Sequence, residues 1–217
     1  MLEEIERNEF DHNLSLNISQ KLVRLFKKRR TTRTYSGEKI PEEIIDNAIQ
    51  VAASAPSGAN KQPWLFCKVS DPILKNYIRV LSEEVELDFY KNKPNQKWLE
   101  DLSHLHTNED KSFINDASHL IIIFYKNIDK SNGEVSKNYY AKESTGIATG
   151  MLLSSLHLSG INSLTYTPKN MHYLNEALEI DKEYRAMMIV VAGIAPKQYQ
   201  VPLIDKKGFD EVCKSFS

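Results

Sequence analysis

Cysteine, glycine and long apolar runs are all scarce in this chain. The two cysteines, Cys67 and Cys213, form neither a CxxC pair nor a Cys/His spacing, which disfavours a disulfide framework or a zinc site. The longest apolar runs, LIIIFY and MMIVVAGIA, fall well short of the roughly 20 residues that a membrane helix needs. The first ten residues are polar and lack the apolar region of a signal peptide. We therefore predict a cytoplasmic protein with no membrane association.

An excess of one charge is also lacking, because 28 basic residues are balanced by 29 acidic ones and the net charge is −1. The chain as a whole is therefore not expected to bind nucleic acid. No GxGxxG follows a strand pattern and no GxxxxGK(S/T) occurs, so Rossmann-type and P-loop phosphate binding are disfavoured. The glycine count of 8 argues against a loop-built or repeat architecture.

The apolar periodicity predicts helices and strands that alternate unevenly. Helical patterns cover residues 19–28, a stretch that begins at Pro41, and residues 71–92, 138–160 and 170–180. Strand patterns cover residues 64–70, 119–125, 161–168 and 184–195. Residues 1–18 are predicted to be a loose N-terminal arm, and the tail an extended arm with a short helix. We predict one domain over residues 19–217 with an α+β fold, in which helices flank a mixed sheet.

A basic, hydroxyl-rich run is the first candidate binding segment. It places three guanidinium groups and two hydroxyls within five residues: Arg29, Arg30, Thr31, Thr32 and Arg33. Such a donor set suits a phosphate, since each charge-assisted hydrogen bond contributes about 1.5–3 kcal/mol. Taken alone, the run is also typical of a solvated basic face or of a helix C-terminus.

A turn of small residues is the second candidate. Pro56, Ser57, Gly58 and Ala59 follow the second helical pattern, and a tight turn of this kind can direct backbone N–H groups at an oxyanion. Taken alone, the segment could equally be a plain connection between a helix and a strand.

Together, the two segments resemble the opening of the nitroreductase flavoprotein superfamily, where an R-R-(S/T)-x-R run is followed by a helix and a Pro-Ser…Pro-Trp turn. The form APSGANKQPW is most similar to the iodotyrosine deiodinase branch. The resemblance extends from about residue 20 to about residue 212. It implies an FMN cofactor, the nitroreductase-like fold, and a homodimer with active sites at the interface and terminal arms that wrap the partner.

The same resemblance implies an active-site lid over residues of about 82–112. In deiodinases a Glu, a Tyr four residues later and a more distant Lys bind the amino-acid end of the substrate, and Glu86, Tyr90 and Lys111 match them. Glu86 and Tyr90 are spaced to share one helix face. Glu86 would pair with the ammonium and Lys111 with the carboxylate, while the Tyr90 hydroxyl would serve either. Ordinary solvated surface charge is the alternative interpretation.

The remaining site residues are also assigned by resemblance. Arg29, Arg30, Thr31 and Lys206 would hold the FMN phosphate, with Thr32 in the same run and Arg33 nearer the pyrimidine edge of the flavin. Pro56 and Ser57 would lie beside the ring, and the Ala59 N–H would bind the phenolate of the substrate. Thr165, Tyr166 and Thr167 would run along the flavin, and the Thr167 hydroxyl would face N5. Lys206 stands where the family commonly has Arg, which keeps the charge but loses the bidentate fork.

The resemblance therefore implies FMN-dependent reductive dehalogenation of halotyrosines, with Thr167 and Ala59 as catalytic residues. Two alternatives stay open: a general nitro or quinone reductase that uses NAD(P)H, and a flavin- or halotyrosine-binding protein without turnover. No nicotinamide signature is apparent, so a separate reductase could also supply the electrons. His104 and His106 lack further ligands at metal-binding spacing, and we interpret them as surface or packing residues with no metal.

Overall fold

The computed structural model describes residues 4–7, 9–92, 96–130 and 135–216. Its α-helices are α1 (His12–Lys27), α2 (Glu42–Ala53), α3 (Pro72–Leu87), α4 (Gln96–Ser103), α5 (Phe113–Asp116), α6 (Ala141–Leu158), α7 (Tyr173–Ala177) and α8 (Phe209–Val212). Its strands are β1 (Trp64–Val69), β2 (His119–Lys126), β3 (Ile128–Asp129), β4 (Ser136–Lys137), β5 (Asn162–Tyr166) and β6 (Tyr184–Gly193).

The central sheet has the strand order β1-β2-β6-β5, and each neighbouring pair is antiparallel. Thr31 adds a parallel bridge to Ser163 on β5, so the predicted mixed character of the sheet rests on that bridge. The two remaining strands, β3 and β4, pair as a separate short hairpin, which the sequence patterns did not predict.

Both faces of the sheet are covered by helices, as the continuous apolar run of β2 requires. Ile121 and Ile123 pack in a core cluster with residues of α2 and α6. Ile122 and Phe124, which point to the opposite face, pack in a second cluster with residues of α3, α5 and α7. This two-sided packing confirms the predicted α+β class.

The first helix differs from its prediction. It begins at His12 rather than residue 19, because the Asp11 side chain accepts a hydrogen bond from the Leu14 N–H and caps the helix. Part of the predicted loose arm is therefore helical. None of the residues of α1 is buried, although its C-terminal end contacts α6, where the His157 ring bonds the Leu25 carbonyl at 2.9 Å.

Two other helices also differ from their predicted bounds. The helix predicted over residues 71–92 is an α-helix only to Leu87, and a π-helical turn continues it over Asp88–Asn92. Tyr90 lies in that turn, so the simple same-face rule for Glu86 and Tyr90 does not apply to it. The helix predicted over residues 170–180 is shorter, at Tyr173–Ala177. Within the described residues, no helix combines the length and apolar character needed to cross a bilayer.

Candidate active site

The C-terminal ends of α3 and β5 meet at a cavity of about 220 Å³, which we term the lid cavity. The predicted lid provides much of its wall, although residues 93–95 of that segment lie outside the described residues. The side chains that matter for its chemistry are Arg33, Glu86, Tyr90, Lys111, Tyr166 and Thr167. The three residues that sequence reasoning assigned to the substrate head group thus line one cavity, together with Arg33 and Thr167.

Glu86 and Lys111 form a buried ion pair in the lid cavity. Lys111 Nζ lies 3.4 Å from Glu86 Oε2, and the two residues are 2% and 9% exposed. Lys111 Nζ also donates to the Asn108 carbonyl. Burial lowers the pKa of Lys111, and the adjacent Glu86 carboxylate opposes that shift. Each ion therefore has one opposite charge that a zwitterionic ligand could replace.

Tyr90 lies beside this pair. Lys111 Nζ is 5.8 Å from the centre of the Tyr90 ring, within the range of a cation–π contact. Burial raises the pKa of Tyr90, so its hydroxyl stays protonated and can donate a hydrogen bond at neutral pH. The Phe89 ring contacts the Tyr90 ring edge to face, with centroids 5.1 Å apart.

A second contact with α3 fixes the backbone of Lys111. The Lys111 N–H donates to Glu83 Oε1 at 2.9 Å, and Arg79 Nε bonds the same oxygen at 2.7 Å. Arg79 also reaches Asp110 at 3.5 Å. Sequence reasoning missed Glu83, although its i,i+4 spacing from Arg79 signals an ion pair on the helix.

We expect Glu83→Ala to raise the KM for a zwitterionic substrate roughly tenfold, because removing a hydrogen-bonded carboxylate costs about 1.5 kcal/mol or more. The Lys111 backbone would lose its hydrogen bond to α3, while the flavin site would stay intact. Steady-state kinetics measures the effect. Glu83→Gln, which retains an acceptor for the Lys111 N–H, should restore part of the loss. Glu84→Ala changes the exposed neighbour, and an equal loss in that variant would contradict the assignment.

The basic run lies beside the C-terminal tail. Thr31, Arg33 and Thr34 line a groove of about 700 Å³, the tail groove, whose other wall includes residues 199–203. Arg33 belongs to both the tail groove and the lid cavity. Burial lowers the pKa of Arg33, but the guanidinium stays charged at neutral pH. The groove therefore carries cationic and hydroxyl donors for an anion next to the lid cavity.

The other members of the basic run differ in their surroundings. Arg29 is half-buried. Arg30 donates to the Pro202 carbonyl and so links the run to the tail. Thr32 is fully buried, and its hydroxyl finds no hydrogen-bond partner within the described part of the chain. Lys206 is exposed in the tail and does not line the tail groove.

The turn after α2 holds Ala59 in a strained conformation. Ala59 has φ 52° and ψ 30°, a left-handed geometry that costs a non-glycine residue about 1–2 kcal/mol. Gln62 N–H donates to Ser57 Oγ at 2.9 Å and stabilises the turn. Among the described residues, the Ala59 N–H donates to no protein acceptor. A strained turn with a free N–H is typical of an anion-binding site.

Gly58 packs this turn against the start of α6. A Cβ at Gly58 would lie 2.7 Å from the Tyr139 carbonyl oxygen, and the Gly58 N–H faces Ser144 Oγ at 3.4 Å. Neither Pro56 nor Ala59 lines the lid cavity or the tail groove. Within a single chain, the lid residues thus lie together with Arg33 and Thr167, whereas the turn that holds Ala59 lies apart from them.

At the end of β5, successive side chains alternate between exposed and buried positions. Thr165 and Thr167 are exposed, whereas Tyr166 between them is buried. The Tyr166 hydroxyl donates to Glu86 Oε1 at 3.0 Å. The period of two along a strand could have indicated that Tyr166 faces away from its neighbouring threonines. Its predicted role beside the flavin stays a prediction.

Comparisons with known proteins agree with this geometry. The model of the family described as "Nitroreductase family" matches residues 26–194. The iodotyrosine deiodinase of Haliscomenobacter hydrossis is 38% identical over 200 residues, which cover 92% of this chain and 90% of the relative. The human iodotyrosine deiodinase 1 is 35% identical over 218 residues, which cover 97% and 75%.

A solved structure is similar as well. The crystal structure of an oxidized iodotyrosine deiodinase bound to FMN and 3-iodo-L-tyrosine superposes with a TM-score of 0.72 at 31% identity, covering 86% of this chain and 96% of that one. A nitroreductase with bound FMN from Bacteroides fragilis superposes with a TM-score of 0.67 at 17% identity, a likeness that concerns the fold alone.

Proposed function

The chain belongs to the iodotyrosine deiodinase branch of the nitroreductase family, and we propose that its lid cavity recognises the amino-acid end of a halotyrosine. The protein is an FMN-dependent oxidoreductase that removes halide from halotyrosines by reduction. The observation that carries the substrate assignment is the buried Glu86–Lys111 pair, which lies with Tyr90 and Thr167 around one cavity.

The residues of the tail groove fit FMN. A phosphate dianion requires cationic and hydroxyl donors, and Thr31 and Arg33 provide them in the groove. Arg29, two residues before Thr31, is half-buried and adds a further guanidinium to the same run. Arg30 holds the tail that carries Lys206 against this run. Thr165 at the end of β5 and Thr167 just after the strand are both exposed and offer hydroxyls, and Thr167 also lines the lid cavity. When bound in its reduced form, FMN supplies two electrons, which with one proton convert the carbon–halogen bond into a carbon–hydrogen bond and free halide.

The chain's own residues orient the substrate. Glu86 pairs with the ammonium group, Lys111 with the carboxylate, and the protonated Tyr90 hydroxyl donates to the carboxylate. The substrate thus replaces the Glu86–Lys111 pair by two new ion pairs and leaves no buried charge unpaired. The lid therefore closes with little electrostatic cost when the ligand carries both charges. A phenol without the amino-acid end would leave the Glu86–Lys111 pair unchanged and gain nothing from it.

At the other end of the substrate, we infer that the Ala59 N–H, which has no acceptor among the described residues, binds the phenolate oxygen. This N–H belongs to a turn that does not line the lid cavity of its own chain. A homodimer resolves the separation, because the turn of one subunit can face the lid cavity of its partner. Thr167 would hold its hydroxyl at the flavin edge between these two ends.

Exposed apolar side chains support the homodimer. They lie along α1 and the C-terminal tail, two terminal segments that could wrap a partner: Leu14, Leu16, Ile18, Leu22, Val23, Leu203, Phe209, Val212 and Phe216. Surface of this kind, on segments with few contacts to their own chain, typically marks an interface. Two electron donors stay open, NAD(P)H acting directly and a separate reductase, and we expect the enzyme to work in the cytoplasm.

A flavin fluorescence titration of the FMN-loaded protein tests the proposal. We expect 3-iodotyrosine to quench strongly and 4-cyanophenol, which lacks the zwitterion, to bind at least about tenfold more weakly, since each charged hydrogen bond contributes about 1.5–3 kcal/mol. Equal responses to the two ligands would mean that the lid cavity does not recognise the amino-acid end. A general nitro or quinone reductase would then be the better assignment.

A further inference from the structure

The side chain of Tyr166 faces the lid cavity rather than the open side of β5. Tyr166 is 8% exposed, and its ring packs edge to face on Phe113 with centroids 6.0 Å apart. Lys111 Nζ lies 5.6 Å from the centre of that ring. The hydroxyl donates to Glu86 Oε1 at 3.0 Å. The strand therefore presents a hydrogen-bond donor to the carboxylate that the proposed function assigns to the substrate ammonium.

Glu86 thus has two partners of different kinds, one on each carboxylate oxygen. Lys111 is a cation outside α3, and under the proposed function the substrate carboxylate competes with Glu86 for it. Tyr166 belongs to a strand and its ring is held by Phe113, so its hydroxyl stays in place when Lys111 turns to the substrate. A buried carboxylate is costly unless it is paired or hydrogen-bonded, so the Tyr166 bond is the contact that persists through this exchange.

We propose that Tyr166 is a positioning residue that acts through Glu86. Its hydroxyl holds the Glu86 carboxylate in the orientation that receives an ammonium, and so selects for substrates that carry one. The inference rests on the proposed function, since it concerns the same cavity. Burial, followed by the negative charge of Glu86, raises the pKa of Tyr166, so the hydroxyl remains a donor at neutral pH.

The test compares Tyr166→Phe with Tyr173→Phe in the FMN-loaded protein. Tyr173 is the control for the neighbouring hydroxyl network, because its hydroxyl bonds Ser82 at 2.7 Å and Ser82 also interacts with the Tyr166 hydroxyl. We expect Tyr166→Phe to raise the Kd of 3-iodotyrosine about tenfold, the effect of losing one hydrogen bond to a charged group. The Kd of 3-(4-hydroxy-3-iodophenyl)propionate, which lacks the ammonium, should stay within about twofold, since no lost contact concerns it.

A double-mutant cycle with Glu86→Gln separates positioning from general packing. If Tyr166 acts through Glu86, adding Tyr166→Phe to the Glu86→Gln variant should raise the Kd of 3-iodotyrosine less than about twofold, because the two effects are coupled. Additive losses would overturn the inference. So would a weaker affinity for FMN itself in Tyr166→Phe, which would instead support contact with the cofactor.

The wild-type protein keeps this test distinct from that of the proposed function. If the wild type binds 3-iodotyrosine no better than the propionate, the proposed substrate recognition fails. If the wild type prefers 3-iodotyrosine and Tyr166→Phe keeps that preference, only the role of Tyr166 fails. A similar loss in Tyr173→Phe would show that the wider hydroxyl network around Ser82, rather than the bond from Tyr166 to Glu86, accounts for the effect, and would also overturn the inference.

Discussion

Glu86→Gln is expected to raise the KM for 3-iodotyrosine by roughly 10- to 150-fold, since a charged hydrogen bond contributes about 1.5–3 kcal/mol. The neutral amide cannot pair with the ammonium, and it also removes the opposite charge from Lys111, which is 2% exposed. The value of kcat should change much less, because the head group is held equally in the ground state and in the transition state. Steady-state turnover with dithionite as reductant gives both constants.

The control for this prediction is Glu84→Gln, which makes the same change on α3 at an exposed residue and should leave KM unaltered. Removing one member of a buried ion pair costs about 3–5 kcal/mol of stability in general, so thermal unfolding must accompany the kinetics. A folded Glu86→Gln protein with the KM of the wild type would show that Glu86 serves only to neutralise Lys111.

The proximity of Glu86, Tyr90 and Lys111 around one cavity could be predicted because the evidence for it is local. Glu86 and Tyr90 are four residues apart, and Lys111 follows in the same motif-bearing segment, so the resemblance alone selected all three. The contact from Tyr166 to Glu86 joins residues 80 positions apart, and that from Glu83 to the Lys111 N–H spans 28. Such pairings depend on how β5 and residues 108–111 pack against α3, which no short pattern contains.

The fold shows the same difference between features set by local sequence and features set by long-range contacts. β2 and α6 were predicted closely, since a continuous β-branched run and a long helical pattern each determine their own structure. The start of α1 depends on a single capping side chain, Asp11, and the π-helical turn at Asp88–Asn92 leaves the helical apolar pattern almost unchanged. The order of strands in the sheet and the Thr31 bridge are long-range pairings that periodicity does not specify.

Gly58→Ala is expected to lower kcat/KM about 100-fold, the loss that a misplacement of about 1 Å can cause in an active site. The added Cβ would lie 2.7 Å from the Tyr139 carbonyl oxygen and 3.3 Å from its carbonyl carbon. These are backbone atoms directly before α6, where Tyr140 already has φ 50°, so a side-chain rotation cannot relieve the contact. The turn must move instead, and the Ala59 N–H moves with it.

Gly150→Ala provides the matched change, because a Cβ there meets no atom of the described residues within 4 Å apart from the nearby backbone of its own helix. The clash in Gly58→Ala should cost about 1–3 kcal/mol of stability, too little to unfold a typical domain, so the loss of activity can be separated from unfolding. The ionisation of bound 3-iodotyrosine, followed by its absorbance against pH, reports directly on the phenolate contact. Its pKa in the complex should rise in Gly58→Ala, because a displaced N–H stabilises the phenolate less. If that pKa and kcat/KM both stay at their wild-type values, the Ala59 N–H is not the group that binds the phenolate, and the strain in the turn needs another explanation.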